Sequence, residues 1–361
     1  MSRVDVAVVG GGPAGLAAAM EVAARGLSVR VFEKQSGIPD KACGEGLMPE
    51  GRRWLDAHGV TPLLDPAWTS PFLGIRYLQE DGACAEARFA NGIGLGIRRI
   101  ALVEALEQAA REAGVRIDHG ASARFVSQDA RRVLLDVDGV LIEAGLVIAA
   151  DGLASTMRRA VGLELQPAVV RRFGQRCHFR GMPESQFVEV HWADGVEAYV
   201  TPTGPGQCGV AFLWESKRDE PARFEQLLAK FPRLQEQVNH AEPISEVRGA
   251  GPLSRRVSSC VAGRVVLIGD AAGYVDAITG EGLSLSFGCA TALGPVLVDA
   301  VNGDAAVLAR YAREHARLFR KYALYADALV WLSRHPPWRR RTFSLLKRAP
   351  WIFEQALALV G

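Results

Sequence analysis

No two cysteines in this 361-residue chain are spaced as Cys-x-x-Cys. The six present, Cys43, Cys84, Cys177, Cys208, Cys260 and Cys289, are scattered along it. That pattern argues against a zinc site or a disulfide framework and fits the reducing cytoplasm. Metal-ligand spacings are missing too, as is a nucleophile elbow. No internal repeat or low-complexity tract occurs. No apolar run is expected to reach the roughly 18–20 residues of a membrane span. Residues 4–24 are apolar but contain Asp5 and Glu21, with no basic n-region or cleavage site, so a signal peptide is not expected. A strong charge of one sign is likewise absent, the formal net charge being +2. The charge is unevenly spread: residues 310–348 hold eleven Lys or Arg against Glu314 and Asp327, and the rest is mildly acidic. The basic run is too short, and the body too acidic, for nucleic-acid binding to be expected.

Glycine is abundant, at 38 residues, and its placement at the start of the chain is informative. Residues 4–33 run from a buried strand into a glycine turn, an alanine-rich helix, a second strand and an acid. The pattern G-x-G-x-x-G falls on Gly10, Gly12 and Gly15. The first glycine permits the turn, the second lets backbone approach a pyrophosphate, and the third lets helix pack on strand. Pro13 and Ala14 open the helix, whose free N–H groups and dipole favour phosphate. Glu33, followed by Lys34, ends the second strand where a carboxylate can accept from ribose hydroxyls. Gly204, Gly206 and Gly209 match the same pattern, but the strand-like Val-Ala-Phe-Leu-Trp follows them, so they read as a hairpin turn.

Further along, residues 36–53 form a long polar, glycine-rich loop, and residues 72–90 alternate like paired strands. Ile100, Val103, Leu106 and Ala110 place a helix over residues 99–113, ended by Gly114. Short strands are predicted at 115–117, 124–127, 133–137 and 141–143, and a buried one at 146–150. From 166 to 250 the texture becomes aromatic, proline-containing and alternating, with strands predicted at 187–192, 198–201 and 209–214 and a helix at 221–231. A buried strand returns at 264–268, and residues 281–301 and 304–333 read as helical.

Three more motifs accompany the first. A strand ends at Asp151-Gly152, another at Gly269-Asp270, and Gly280-Glu281-Gly282 opens a helix. Arg99 heads the amphipathic helix. Together they resemble the FAD-dependent family of aromatic hydroxylases, flavin-dependent halogenases and geranylgeranyl reductases. The resemblance implies an α/β fold: a Rossmann-like FAD-binding domain, an inserted mixed β-sheet substrate domain (α+β) and a C-terminal helical segment. In chain order the expected division is 1–71 (FAD), 72–95 (substrate strands), 96–165 (FAD), 166–250 (substrate), 251–330 (FAD) and 331–361 (basic amphipathic tail). It further implies that Gly10, Gly12 and Gly15 hold the pyrophosphate and Glu33 the adenosine ribose. Arg99 would approach the phosphate and ribityl region, Asp270 a ribityl hydroxyl, and the Gly280–Gly282 helix start the pyrimidine edge. Asp151 and Gly152 are expected to shape the turn near the cofactor, with a helix cap as the plainer alternative for Asp151.

Within that family, Lys41-Ala-Cys43-Gly44-Glu45-Gly46-Leu47 looks most like the geranylgeranyl reductase branch. The halogenase tryptophan signature is absent. The reductases' aromatic signature near a Phe-Pro pair is replaced by Glu197-Ala-Tyr199-Val-Thr201-Pro202, and the proline usual before Thr-Gly-Glu-Gly by Asp276-Ala277-Ile278. These departures favour a monooxygenase-type oxidoreductase, using NAD(P)H and oxygen on a lipophilic or aromatic small molecule. The alternatives are a flavin-dependent reductase of carbon–carbon double bonds and a flavin-carrying sensor without turnover. Only one dinucleotide fold is visible, so a separate stable NAD(P)H site is not expected. Cys43, Glu45 and Tyr199 are the candidate catalytic residues, with Cys43 and Glu45 expected to face the flavin and Cys43 and Gly44 to help bind it; the plainer readings are a small buried filler for Cys43 and a loop carboxylate bonded to backbone for Glu45. His191 and Trp192 are further candidates to line the pocket, and His178 reads as a structural histidine or a base. No metal is expected. The stretch from Trp331 to Phe353 mixes cations with Trp and Phe, as surface-seeking segments do, so peripheral membrane contact competes with a solvated helical cap.

Overall fold

The structure is a computed structural model that describes residues 2–166, 171–216 and 222–358. Apolar runs near the start, middle and end of the chain assemble a sheet in the order Val261–Ala262, Val265–Leu267, Val140–Ala149, Ser2–Val9, Val29–Glu33, Arg116–His119. Its inner pairs are parallel. Strands covered on both faces must be apolar throughout, which is why Val6, Val8, Val31, Ile148 and Val266 are fully buried. The helices Pro13–Ala23, Arg99–Glu112 and Gly282–Leu293, packed on one another, supply part of that cover. The two segments expected at 141–143 and 146–150 are one ten-residue strand, Val140–Ala149. Its first half forms a hairpin with Val133–Val137, and from Ile142 onward its other edge pairs in parallel with Ser2–Val9. Gly145 interrupts the sequence pattern but not the strand.

A second sheet runs Glu242–Pro243, Arg171–Arg180, Gln207–Ser216, Val196–Gly204, Phe187–Ala193, Gly74–Gln79, Cys84–Arg88. Strands from 74–88 thus join those from 171–216, and the joining pair, Phe187–Ala193 with Gly74–Gln79, is parallel. The second glycine match closes the hairpin between Val196–Gly204 and Gln207–Ser216, as its flanking residues predict. One face packs on the helices Phe224–Leu228 and Pro232–Asn239. The helix expected over 221–231 therefore begins later, and Pro221 lies outside the described residues. The other face looks toward the parallel sheet. A small sheet of Gly46–Leu47, Gly94–Ile97 and Thr69–Phe72 sits between them.

Three helices, Leu308–Arg334, Pro336–Arg348 and Pro350–Ala358, complete the chain. Pro336 and Pro350 each occupy a first helical position, where a missing N–H costs nothing. Phe343 and Phe353 are buried against Tyr77, at ring distances of 5.4 and 4.6 Å. Truncating either to alanine would cost about 3–5 kcal/mol. One expectation is corrected. The stretch Gly282–Val301 is long and apolar enough to cross a membrane by length and composition, yet more than half of it is buried inside the fold. Ser284 and Ser286, together with the glycines, dilute its apolar signal.

Candidate active site

The two sheets enclose a cavity of about 560 Å³. At one end it is lined by Gly12, Pro13, Ala14, Lys34, Arg99 and Asp270, and at the other by Ile75, Tyr77, Val190 and Leu357. The glycine turn explains the first end. A Cβ on Gly10, whose φ is +108°, would sit 2.4 Å from the Ala150 carbonyl oxygen. One on Gly15 would sit 2.0 Å from the Gly10 oxygen. Packing therefore forces both glycines. A Cβ on Gly12 meets nothing closer than the Arg99 guanidinium at 3.8 Å, so the space beside Gly12 is open and faces a cation. Open space, a helix N-terminus and an arginine together suit a diphosphate.

Glu33 is buried, and its oxygens accept from Gly11 N at 2.8 Å and Gln35 N at 3.0 Å. The carboxylate thus fastens the glycine turn, and its remaining lone pairs are what a ribose could use. Asp151 organises the turn beside the cavity through its own hydrogen bonds. Its oxygens accept from Ser155 Oγ (2.5 Å), Thr156 N (2.7 Å) and Met157 N (3.1 Å). They cap the helix Thr156–Ala160, the plainer reading, while Asp151 and Gly152 still border the cavity. The buried Arg158 then donates to the Leu153 and Ala271 carbonyls, tying that turn to the Gly269-Asp270 turn. Gly269 packs on the helix start, where a Cβ would lie 2.7 Å from that of Ala14. Desolvation pushes the Asp270 carboxyl above its ordinary range, against the pull of Arg99 and Lys41.

Gly280, Glu281 and Gly282 bring a second helix N-terminus, that of Gly282–Leu293, to the cavity wall. Glu281 is buried, and its Oε1 has no hydrogen-bond partner among the described residues. Burial pushes its carboxyl up to about 8, with Lys321 opposing.

The polar loop is anchored rather than loose. Glu45 adopts φ +59° and is buried. It accepts from Arg99 N at 2.9 Å and meets His178 Nε2 at 2.5 Å. His178 Nδ1 in turn lies 2.9 Å from Ser245 Oγ, and Arg176 is paired with Asp40. Burial lowers the His178 pKa, against the pull of Glu45. Both Glu45 oxygens are therefore engaged, and the residue holds the loop to the second sheet. Cys43 borders the cavity, with its Sγ 3.4 Å from Glu45 N, and Gly44 lies beside it. Tyr199 also lines the cavity, but its hydroxyl donates to the Ile278 carbonyl at 2.9 Å. His191 and Trp192 do not line it. His191 points to the opposite face, edge-on to Phe231, and Trp192 lies beyond the cavity against Tyr77 and Phe343.

A buried ionic cluster escapes the sequence reading. Arg172 Nε donates to Asp276 at 2.6 Å, and its Nη2 donates to Glu197 at 2.6 Å. Asp276 Oδ1 also accepts from Ile278 N at 3.0 Å, and Ser333 donates to Glu197. The cluster joins the second sheet, the loop before Glu281 and the C-terminal helices. A legible signal exists, since Arg172, Arg176 and His178 alternate on one strand and all are buried. No group of His, Cys, Asp or Glu able to hold a metal occurs among the described residues.

Residues 3–323 match the FAD binding domain family. The chain is 30% identical over 350 residues to digeranylgeranylglycerophospholipid reductase 2 of Methanopyrus kandleri, covering 90% of this chain and 86% of that one. It is 27% identical to menaquinone reductase of Mycobacterium tuberculosis, covering 77% and 72%. Its fold superposes on p-nitrophenol 4-monooxygenase of Pseudomonas putida DLL-E4 with a TM-score of 0.84, at 20% identity, covering 100% and 99%. The glycine turn, the cation beside it and the two helix starts fit the nucleotide that this family carries, so the chain belongs to the FAD binding domain family and is an FAD-dependent oxidoreductase.

Proposed function

We propose that this oxidoreductase saturates a carbon–carbon double bond in a lipophilic substrate. The observation that carries the reading is Glu281, a buried carboxyl on the cavity wall whose pKa is raised to about 8. At neutral pH it is a neutral acid able to give up a proton. Bound FAD supplies two-electron hydride chemistry. Reducing an alkene adds a hydride to one carbon and a proton to its neighbour, and Glu281 holds a proton at its carboxyl beside the helix start. Gly10, Gly12, Gly15 and Arg99 bind the diphosphate. Asp276, Ile278 and Tyr199 hold the loop that places Glu281. Ile75, Val188, Val190 and Leu357 exclude water from the far end, and Cys43 borders the cavity between the two ends. The names of the two sequence relatives, both reductases, support this reading.

Hydroxylation with NAD(P)H and oxygen is the second reading, favoured by the aromatic lining of Tyr77, Phe89, Tyr199 and Tyr325. Against it, burial raises the Tyr77 and Tyr199 hydroxyls well above their ordinary value, so neither serves as a base toward a phenol. The test is single turnover of dithionite-reduced holoenzyme with a digeranylgeranyl lipid or menaquinone under nitrogen. Anaerobic reoxidation with two hydrogens gained at a side-chain carbon–carbon double bond, rather than at the quinone ring, is expected. Substrate-dependent oxygen uptake, with an oxygenated product and no anaerobic turnover, would overturn the proposal.

A further inference from the structure

The C-terminal helices have an inner and an outer face of different character. Tyr325 and Leu357 line the cavity, and Phe343 and Phe353 pack on the same inner side. Facing outward are Leu324 (67% exposed), Trp331 (46%), Trp338 (52%), Leu345 (52%) and Trp351 (62%). These residues are not strewn at random. Leu324 and Trp331 lie two turns apart on one face of their helix. The Trp331 and Trp338 rings are 6.2 Å apart across the His335-Pro336 turn, and Trp331 stacks on His335 at 4.3 Å. Trp338, Arg341, Leu345 and Arg348 then follow one another along one side of the next helix. The Arg341 guanidinium sits 5.5 Å from the centre of the Trp338 ring. The helix Pro336–Arg348 contains five Lys or Arg and no acid. Arg339 and Arg340 reach toward Glu80. Arg341, Lys347 and Arg348 make no ion pair among the described residues and are exposed.

Large exposed aromatics cost hydration, and tryptophan is the side chain most at home at the headgroup level of a bilayer. Unpaired cations beside them gain from anionic lipid, about fivefold in partitioning for each one near the surface. A second copy of this chain would bring the same cations against themselves, which disfavours a symmetric dimer here. We infer that this face docks on an anionic bilayer, with Trp331 and Trp338 at the headgroup level and Arg341, Lys347 and Arg348 against lipid phosphates. The docking does not depend on which reaction the cavity performs. Of the two helices that carry it, Leu308–Arg334 also lines the cavity, through Tyr325.

The test is flotation of the full-length holoprotein with phosphatidylcholine vesicles, with and without phosphatidylglycerol. Binding only to the anionic vesicles, released by salt, is expected. The double variant Trp331→Ala/Trp338→Ala should stay at the bottom of the gradient. The triple variant Arg341→Gln/Lys347→Gln/Arg348→Gln should lose on the order of a hundredfold in partitioning at low salt. Both sets lie on the exposed face, so FAD absorbance and melting temperature should be unchanged and serve as controls for folding. The inference fails if the protein does not float at low salt, or if both variants float like the parent. It also fails if soluble heparin is bound while vesicles are not, which would indicate an acidic macromolecule. A self-association abolished by the tryptophan variant, without flotation, would overturn it in favour of a second copy.

Discussion

Replacing Arg172 with methionine tests the buried ionic cluster. Arg172 is 4% exposed, Glu197 is 0% and Asp276 is 2%, so the loss leaves two carboxylates without their cation and with no access to water. Burial alone would lower the Arg172 pKa, but Glu197 and Asp276 raise it, so the guanidinium is charged at every working pH. Breaking such an arrangement from one side costs about 3–5 kcal/mol. In a protein of this size that is a fall in melting temperature of roughly 4–7 °C. The deficit should also depend on pH in a known direction. Burial already holds the Glu197 carboxyl above its ordinary value despite Arg172. A carboxyl raised in the folded state contributes its full stabilisation below the unfolded value, about 4.3, and loses it as pH rises through the folded value. Without Arg172 that rise grows, so the variant should be closer to the parent at pH 5.5 than at pH 8. Thermal melts followed by circular dichroism and by release of FAD fluorescence at both pH values are the assay. An equal loss at the two pH values, or a loss below about 1 kcal/mol at pH 8, would show that the cluster is not the buried charge triad described here.

Two further substitutions probe the nucleotide end and the acid. Gly12→Val fills the open space beside Arg99, so FAD affinity should drop by at least an order of magnitude while far-ultraviolet dichroism is retained. Unchanged FAD occupancy would place the phosphates elsewhere. Glu281→Gln keeps the shape but carries no acidic proton, and anaerobic single-turnover rates should fall by about 10²–10⁴-fold. The parent should lose rate as pH rises through about 8, where Glu281 gives up its proton, and the glutamine variant should show no such inflection. A parent profile that is flat between pH 6 and 9 would remove Glu281 from the chemistry.

The parallel sheet and its glycine turn are readable in the chain because both obey local rules. Buried parallel strands are uniformly apolar, and G-x-G-x-x-G sits between strand and helix. The hairpin at Gly204–Gln207 is readable for the same reason, from the strand that follows it. What stays hidden depends on partners far away in sequence. Asp151 looks the same in sequence whether it shapes the turn beside the cofactor or caps a helix, and its bonds to Ser155 and Thr156 are seen only in the fold. Val188 and Val190 face the cavity while His191 faces away, because the pleat of Phe187–Ala193 alternates. Trp192 shares their face but lies one step beyond the cavity, under Phe343, which comes from 151 positions later in the chain. Nothing local to Asp276 marks it as an ion-pair partner, and its meaning appears only once Arg172 is beside it.

The match to the FAD family ends at residue 323, whereas Tyr325, Phe343, Phe353 and Leu357 all lie after it. Part of the cavity's far boundary, Tyr325 and Leu357, therefore comes from beyond the matched stretch and stands beside Ile75, Tyr77 and Val190 from within it. Replacing the last thirty-odd residues would reshape what fits inside while leaving the dinucleotide cradle as it is, giving evolution and protein engineers a way to change specificity without rebuilding the redox machinery.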